Sequence, residues 1–450
     1  MDAFNENSNE QQAQQPMGCL HRFSKTIKVV IIGLLILLLM IPMFMIENLI
    51  SERGRTQEEA IDEVSEKWSL AQTITGPYLN LQYPVVTENN GEKKISIKDL
   101  ILFPDELMVN GQLKTEILKR SIYEVNVYQS ELTLKGSFSS EELKKSRIDM
   151  EQLQFDRAAI CLNLTDMRGI SEQISITLGD SVYIFEPGMD NRGIANTGVH
   201  AIANLSEFYY KKKPAYEIKI KLKGSQSLNF IPLGKTTRVD LKANWNTPSF
   251  TGNYLPNNRN ITEKEFSAQW QVLNLNRNYS QVMVDYNTSN IKDIENSSFG
   301  VNFKIPVEQY QQSMRSAKYA ILIILLTFGV IFFTEIMNKT RIHALQYLLV
   351  GLALCLFYSL LLSFSEHIGF NPAYLLSSAL TIILVGGYMF GITKKKKPSL
   401  IMSGLLGILY LYIFVLIQLE TFALLAGSLG LLIILAMVMY FSKKIDWFNE

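Results

Sequence analysis

Cysteine is scarce in this chain of 450 residues, which has three, at positions 19, 161 and 355. Cys19 lies in a polar N-terminal stretch, Cys161 in a long polar middle region and Cys355 in an apolar run nearer the C-terminus. These segments are expected on different sides of a membrane or inside it, so no two of the cysteines can pair within the chain. A fold stapled by intrachain disulfides is therefore excluded, and Cys161 is predicted to pack as a small apolar side chain.

Histidine is almost as rare, and no motif of a metal site or a hydrolase is present. The four histidines are far apart and form no H-E-x-x-H or Cys/His spacing, and no G-x-S-x-G sequence occurs. Residues 232–237 resemble the end of a phosphate-binding loop, but Asn229 stands where that loop needs its first glycine. The sequence therefore predicts no catalytic residue, no metal and no cofactor, and a protein that is not an enzyme.

An excess of charge of either sign is also lacking. The formal net charge is +1, and residues 51–318 alone have 32 Lys/Arg against 33 Asp/Glu. A nucleic-acid-binding protein would show a strongly basic face or domain. Nucleic acid is therefore not an expected partner.

Long apolar runs are what the chain has in abundance. Each run is about 18–24 residues long, which is enough for a helix to cross a bilayer. The first is predicted to be an uncleaved signal anchor, because the residues after it lack a small-x-small cleavage pattern. The lipid bilayer is therefore one partner. The six predicted membrane helices are residues 27–50, 319–337, 342–364, 371–393, 399–418 and 421–441.

Basic residues beside these runs predict an orientation. Eleven Lys/Arg lie outside residues 51–318, and all of them fall on one side of the membrane if every run spans it. Because basic residues concentrate in cytoplasmic segments, both termini are predicted to be cytoplasmic. Residues 51–318 then lie on the opposite face of the membrane, residues 1–26 form a disordered cytoplasmic tail and residues 442–450 form a second cytoplasmic tail.

Ionisable side chains are missing from the centres of the apolar runs and occur only near their ends. Four of them are candidate interfacial polar residues: Glu335, His343, Glu366 and His367. Proton-coupled transporters usually place such groups at mid-membrane. Glu335 and His343 could form a functional pair, but anchoring at the interface is the favoured interpretation.

The polar middle region is predicted to be mainly β. Its dominant hydrophobic period is two, which is typical of antiparallel sheets with one buried face, arranged as a sandwich or two packed sheets. Residues 51–68 form a helical stalk before it, and Ser140–Arg147 a short helix. Asn90-Gly91 and Asn110-Gly111 are predicted hairpin turns. Strands are predicted at 95–103, 121–129, 131–138, 217–223, 239–245, 266–272 and 299–305.

Ten stretches of the sequence carry a family resemblance: Ile50–Arg53, Glu63–Ser65 with Trp68, Gln72–Pro77, Gly224–Gly234, Pro248–Pro256, Phe266–Val272, Pro306–Tyr310, Ser316–Ala320, Val350–Tyr358 and Leu362–Phe370. Together they resemble the CreD family of bacterial inner-membrane proteins, and the resemblance covers nearly everything after the N-terminal tail. It implies an inner-membrane protein that has residues 51–318 in the periplasm, supports cell-envelope integrity and belongs to the envelope-stress response. It brings no catalytic residue, cofactor or ligand with it.

Two functions remain open at this point. In the first, the chain is a non-enzymatic envelope protein whose periplasmic β domain is the interaction module for envelope components or other membrane proteins. In the second, it is a transporter or lipid-handling protein that uses the interfacial polar residues of its helix bundle. The uncharged helix centres favour the first.

Overall fold

The protein is described by a computed structural model that divides into two compact units. One contains residues up to Thr56 together with those from Val307 onward, and the other runs from Gln57 to Pro306. We call them the membrane unit and the β domain. The structure describes residues 24–89, 92–145, 148–189, 194–195, 197–206, 213–284, 288–303, 305, 308–338, 341–419 and 422–443. The predicted turn at Asn90-Gly91, most of the predicted N-terminal tail and the last seven residues lie outside them.

Helices account for nearly all of the membrane unit. The first helix continues without a break from the apolar run through the predicted stalk, so its last twelve residues belong to the β domain. The described helices are α1 (Ser24–Trp68), α2 (Ser140–Lys144), α3 (Thr288–Asn296), α4 (Glu308–Lys318), α5 (Ala320–Asn338), α6 (Ala344–Ile368), α7 (Phe370–Thr393), α8 (Lys396–Gln418) and α9 (Ala423–Ser442).

Five of these helices are long and apolar enough to cross a membrane: α1 and the four consecutive helices α5 to α8. In α9 the apolar helical segment found among the described residues is shorter, Leu424–Met437. The protein thus has an N-terminal apolar helix, a central region that is mainly β and a C-terminal set of apolar helices, as the sequence predicts at that level.

Helix α1 packs against the bundle through one face. Leu39, Met43, Ile46 and Ile50 recur at helical spacing and are buried, whereas most other apolar residues of the same run are exposed. The contact on α6 is at Gly351, where an added Cβ would lie 2.2 Å from Cδ1 of Leu39. Glycine at this position therefore permits the close approach of the two helices.

Seventeen strands are described in the β domain. They are β1 (Gln72–Asn89), β2 (Glu92–Leu102), β3 (Glu106–Arg120), β4 (Tyr123–Ser137), β5 (Ala158–Leu164), β6 (Ser175–Leu178), β7 (Ser181–Ile184), β8 (Glu186–Pro187), β9 (Val199–Ala203), β10 (Ala215–Ser225), β11 (Ser227–Phe230), β12 (Thr236–Ala243), β13 (Ser249–Gly252), β14 (Asn258–Ile261), β15 (Phe266–Leu273), β16 (Val282–Val284) and β17 (Phe299–Asn302).

The strands form two sheets. The first has the order β13-β17-β11-β1-β5-β9-β8, with β2 on β1 and β16 on β2, and the second has the order β14-β15-β12-β3-β4-β10-β6-β7. Most ladders are antiparallel, but β1 pairs with β11 and β3 with β12 in parallel. One large apolar core contains inward-facing residues of both sheets, which confirms two packed sheets. A smaller core on β1, β2 and β5 includes α3 and contains Cys161, which is fully buried.

One turn prediction is wrong. Asn110 and Gly111 lie in the middle of β3, and the chain turns instead at Ser121 and Ile122, where Ser121 has a φ of 57°. Gly111 is needed for packing, because an added Cβ would meet Leu132 and Leu241 of the neighbouring strands at 2.7 and 2.6 Å. The two strands predicted at 121–129 and 131–138 are one continuous strand, β4.

Candidate functional site

Glu335 is the centre of a polar cluster at the beginning of α6. Its carboxylate pairs with the ammonium group of Lys28 from α1. It also accepts hydrogen bonds from the backbone N–H of Ile342 (3.2 Å) and the hydroxyl of Tyr347 (3.2 Å). The Glu335 side chain is only 12% exposed, and Lys28 also donates to the carbonyl of Ile342 at 3.0 Å. Glu335 thus joins α1, α5 and α6 at one end of the bundle.

His343 has a structural role nearby. It is the N-cap of α6: its Nδ1 accepts from the backbone N–H of Leu345 at 3.2 Å, and its own N–H donates to Oε1 of Gln346 at 3.0 Å. Such a cap satisfies backbone donors that the first turn of a helix leaves unpaired. Nδ1 is therefore engaged in this cap, and the described hydrogen bonds of Glu335 go to other residues.

Glu366 is the centre of a second cluster, at the opposite end of α6. Its Oε1 accepts from the hydroxyl of Tyr310 on α4 at 2.9 Å and lies 3.9 Å from Nε of Arg53 on α1. Its side chain is 11% exposed. His367 follows it with an exposed side chain in the last turn of α6, where a cation is favoured by the helix dipole.

The four predicted residues therefore form two clusters and not one site. A 25-residue helix is about 37 Å long, so the two ends of α6 are too far apart to act on one ligand. Both clusters connect α6 with α1, because Lys28 and Arg53 lie near the two ends of the membrane segment of α1. The described geometry is that of two ion pairs that attach α1 to the bundle.

Sequence reasoning missed the partners in these clusters: Lys28, Arg53, Tyr310 and Tyr347. Lys28 and Arg53 are visible in sequence as basic residues that flank an apolar run. Nothing in the sequence indicates which acidic residue each of them meets, because the partners are about 300 positions away.

Tyrosines and phenylalanines fill the interior of the bundle. Phe357 lies 5.4 Å from Tyr374 and 4.5 Å from Tyr410, measured between ring centroids, and the hydroxyl of Tyr374 donates to the carbonyl of Tyr410 at 2.9 Å. These contacts join α6, α7 and α8.

In the β domain, Asp166 is the most highly connected carboxylate described. It is buried and accepts hydrogen bonds from the backbone N–H groups of Leu70 (2.9 Å) and Arg168 (3.0 Å) and from the Arg168 guanidinium (2.9 Å). Its own backbone bonds the side chain of Gln72. Arg168 in turn donates to the carbonyl of Glu66, at the C-terminal end of α1. The cluster thus fastens the end of α1 to β1 and β5.

Low pH should weaken the attachment of the end of α1 that Asp166 provides. Burial acts to raise the pKa of Asp166, but the hydrogen bonds from Arg168 and Leu70 outweigh it and leave the pKa below its usual value of 3.8. A carboxyl group whose pKa is lower in the folded state than in the unfolded state stabilises the fold at pH values above its unfolded-state pKa. This stabilisation is lost as the pH falls through the folded-state pKa. We expect the difference in free energy of unfolding between the native protein and Asp166→Asn to narrow below about pH 4. An equal difference at pH 6 and pH 3 would contradict this.

A cavity of about 350 Å³ lies between α5, α8 and α9, lined by apolar side chains and by Gly329 and Gly430. Within the described ranges, no group of three or more His, Cys, Asp or Glu residues is arranged to hold a metal ion.

The fold and its polar clusters define a class: a multi-span membrane protein with a large two-sheet domain inserted between its first apolar helix and the others. Comparison with known proteins identifies the family within this class. A family profile described as "Inner membrane protein CreD" matches residues 24–448. A relative is the inner membrane protein CreD of Escherichia coli (strain K12), which is 32% identical over 419 residues, or 92% of this chain and 91% of the relative. The chain therefore belongs to the CreD family of inner membrane proteins.

Proposed function

We propose that this protein is a non-enzymatic inner-membrane protein that supports cell-envelope integrity and the envelope-stress response, with the β domain in the periplasm as its interaction module. Both termini are cytoplasmic, and α9 is the sixth membrane span. Its partners are envelope components or other membrane proteins that the β domain contacts.

The distribution of charge supports this arrangement. The eleven basic residues outside residues 51–318 all lie on one side when six helices span the membrane. Within the membrane unit, Lys28 and Glu335 meet at one end of the bundle, whereas Arg53 and Tyr310 both contact Glu366 at the other end. The chain therefore leaves and re-enters the membrane unit at the end that carries Glu366.

The observation that carries the functional proposal is the state of the ionisable groups in the bundle. Glu335 and Glu366 are engaged in ion pairs and hydrogen bonds with neighbouring helices, and His343 caps a helix. These residues hold the bundle together. The β domain is the larger unit of the chain and presents the exposed polar surface on which a partner in the envelope would bind.

A deletion tests the proposal. Because Arg53 and Tyr310 contact the same carboxylate, a short Gly/Ser linker can replace residues 57–306. In a bacterial strain that lacks its own CreD protein, the full chain should restore resistance to envelope-active agents. The linker variant should not restore it, at matched levels in the membrane fraction. Rescue by the linker variant would contradict the proposal.

A second candidate is supported by the apolar cavity between α5, α8 and α9, whose size and lining suit the acyl chain of a lipid. In that function the bundle handles lipid and the β domain is accessory. Gly329→Leu tests it, because a Cβ at Gly329 meets open space and a leucine would fill the cavity.

Under our proposal, Gly329→Leu restores envelope resistance as well as the native chain does. Gly391→Leu is the matched control, since its Cβ also meets open space and it lies on α7, away from the cavity. If Gly329→Leu abolishes resistance while Gly391→Leu keeps it, lipid handling replaces the proposed function.

A further inference from the structure

Arg277 in the β domain is a buried cation for which the described part of the chain provides no counter-ion. It follows a short 3-10 turn (Asn274–Asn276), and the residue is only 9% exposed. Nη2 donates to Oε1 of Gln281, whereas Nε and Nη1 are buried and have no hydrogen-bond acceptor. Among the described residues, no carboxylate pairs with it.

Aromatic rings hold the guanidinium in place. Its central carbon lies 4.4 Å from the ring centroid of Tyr279 and 5.7 Å from that of Phe103. The hydroxyl of Tyr279 is itself engaged with the carbonyl of Pro232 (3.1 Å) and with Ser297 (2.9 Å). The position of the guanidinium is therefore set by its neighbours before any ligand arrives.

These contacts do not compensate for burying the charge. A cation–π contact stabilises a cation only weakly, whereas burying an ion without a partner is much more costly. Burial lowers the pKa of Arg277, but a guanidinium remains protonated in proteins. An anion bound at Nε would neutralise the buried charge and provide the missing hydrogen-bond acceptor.

Gln281 contacts both the guanidinium and a cavity, because its side chain accepts a hydrogen bond from Arg277 and the residue also lines the cavity. The cavity has a volume of about 490 Å³ and is also lined by Lys145 and Glu142. Glu142 accepts from Lys145 at 2.8 Å and from Lys235 at 3.1 Å, so its charge is already matched. Nε and Nη2 lie on the same edge of a guanidinium. An oxyanion that displaced the amide oxygen of Gln281 would therefore find two parallel donors, the arrangement that arginine offers to carboxylate and phosphate.

We propose that Arg277 anchors a binding site for a small oxyanion, a carboxylate or phosphate group, in the β domain, with Gln281 occupying the position of one ligand oxygen when the site is empty. The site extends the proposed function by naming the chemistry that the interaction module recognises, and it rests on that function only for its biological role. Binding itself is measured on the purified protein, so its failure leaves the linker deletion to be judged independently.

The experiment is urea unfolding of the full chain in detergent, with inorganic phosphate or acetate as the probe and chloride at equal ionic strength as the reference. Three of the four tryptophans (Trp68, Trp245 and Trp270) lie in the β domain and report its unfolding. We expect an oxyanion to raise the unfolding midpoint in a saturable way, because a ligand that binds only the folded state stabilises it. A larger effect of phosphate or of acetate identifies which group the site prefers.

Arg277→Met should remove the saturable response while leaving the protein at least as stable as the native chain in chloride, because it removes an unpaired buried charge. Arg259→Met, an exposed arginine on β14, is the control and should respond as the native chain does. Two results would overturn the proposal: the oxyanions raise the unfolding midpoints of Arg277→Met and of the native chain equally, or they raise neither midpoint. Arg277 is then a packing residue and the site does not exist.

Discussion

Asp166→Ala is expected to lower the free energy of unfolding of the β domain by about 3 kcal/mol. The substitution leaves the N–H of Leu70 without its acceptor and releases the Arg168 guanidinium from the end of α1. Removing one member of a buried ion pair costs about 3–5 kcal/mol, and the exposed side of Arg168 places this case at the lower end. Tryptophan fluorescence during urea unfolding measures the effect.

Asp156→Ala is the matched control. Asp156 is an exposed aspartate ten residues earlier in the chain, and its loss should change the free energy of unfolding by less than about 0.5 kcal/mol. If the two variants unfold at the same urea concentration, Asp166 does not fasten the end of α1 to the sheet.

Gly351→Leu is expected to separate α1 from α6. A Cβ alone would approach Leu39 to 2.2 Å and Phe328 to 3.0 Å, and a leucine adds three further carbon atoms to that contact. Overpacking of this kind typically costs 1–3 kcal/mol. We expect the membrane unit to unfold about 5 °C lower than in the native chain.

Cys355 provides the readout. It is 3% exposed and lies one helical turn from Gly351, so a thiol-reactive fluorophore reaches it only when the bundle opens. Cys19→Ser and Cys161→Ala remove the other two thiols. Gly387→Leu is the control, because a Cβ there meets open space and the midpoint should stay within about 1 °C of the native value. Equal midpoints for the two leucine variants would show that Gly351 is not a helix-packing position.

The sequence predicts the order of the regions well because the signals involved are local. An apolar run of membrane length or an alternating strand can be recognised without knowing what it packs against. Strands β10, β12 and β15 follow their alternating residues almost end to end.

Asn110-Gly111 shows where local signals fail. The pair favours a hairpin turn, but Gly111 is present because β3 lies so close to β4 and β12 that a side chain would collide with two leucines. The parallel pairing of β3 with β12 likewise joins residues far apart in sequence. The glycine at position 111 and the parallel pairing both depend on tertiary packing, which is not included in the intrinsic structural propensities of residues.

The candidate residues of the bundle also show the difference between local signals, which the sequence contains, and tertiary contacts, which it does not. Sequence identifies Glu335 and Glu366 as charged groups at helix ends, which is a local property. Their partners Lys28, Arg53 and Tyr310 come from other helices, and only the structure shows that the two glutamates attach α1 to the bundle. Arg277 gave no sequence signal, because its unusual property is the lack of a partner.

The most direct test of the central claim, that the β domain faces the periplasm, is cysteine labelling in spheroplasts. In a Cys19→Ser background the remaining native cysteines are buried, so Lys264→Cys in the β domain and Lys397→Cys at the start of α8 each supply one exposed thiol. A membrane-impermeant maleimide should label Lys264→Cys directly and Lys397→Cys only after detergent is added. Labelling of Lys397→Cys in intact spheroplasts, with Lys264→Cys protected, would contradict the account.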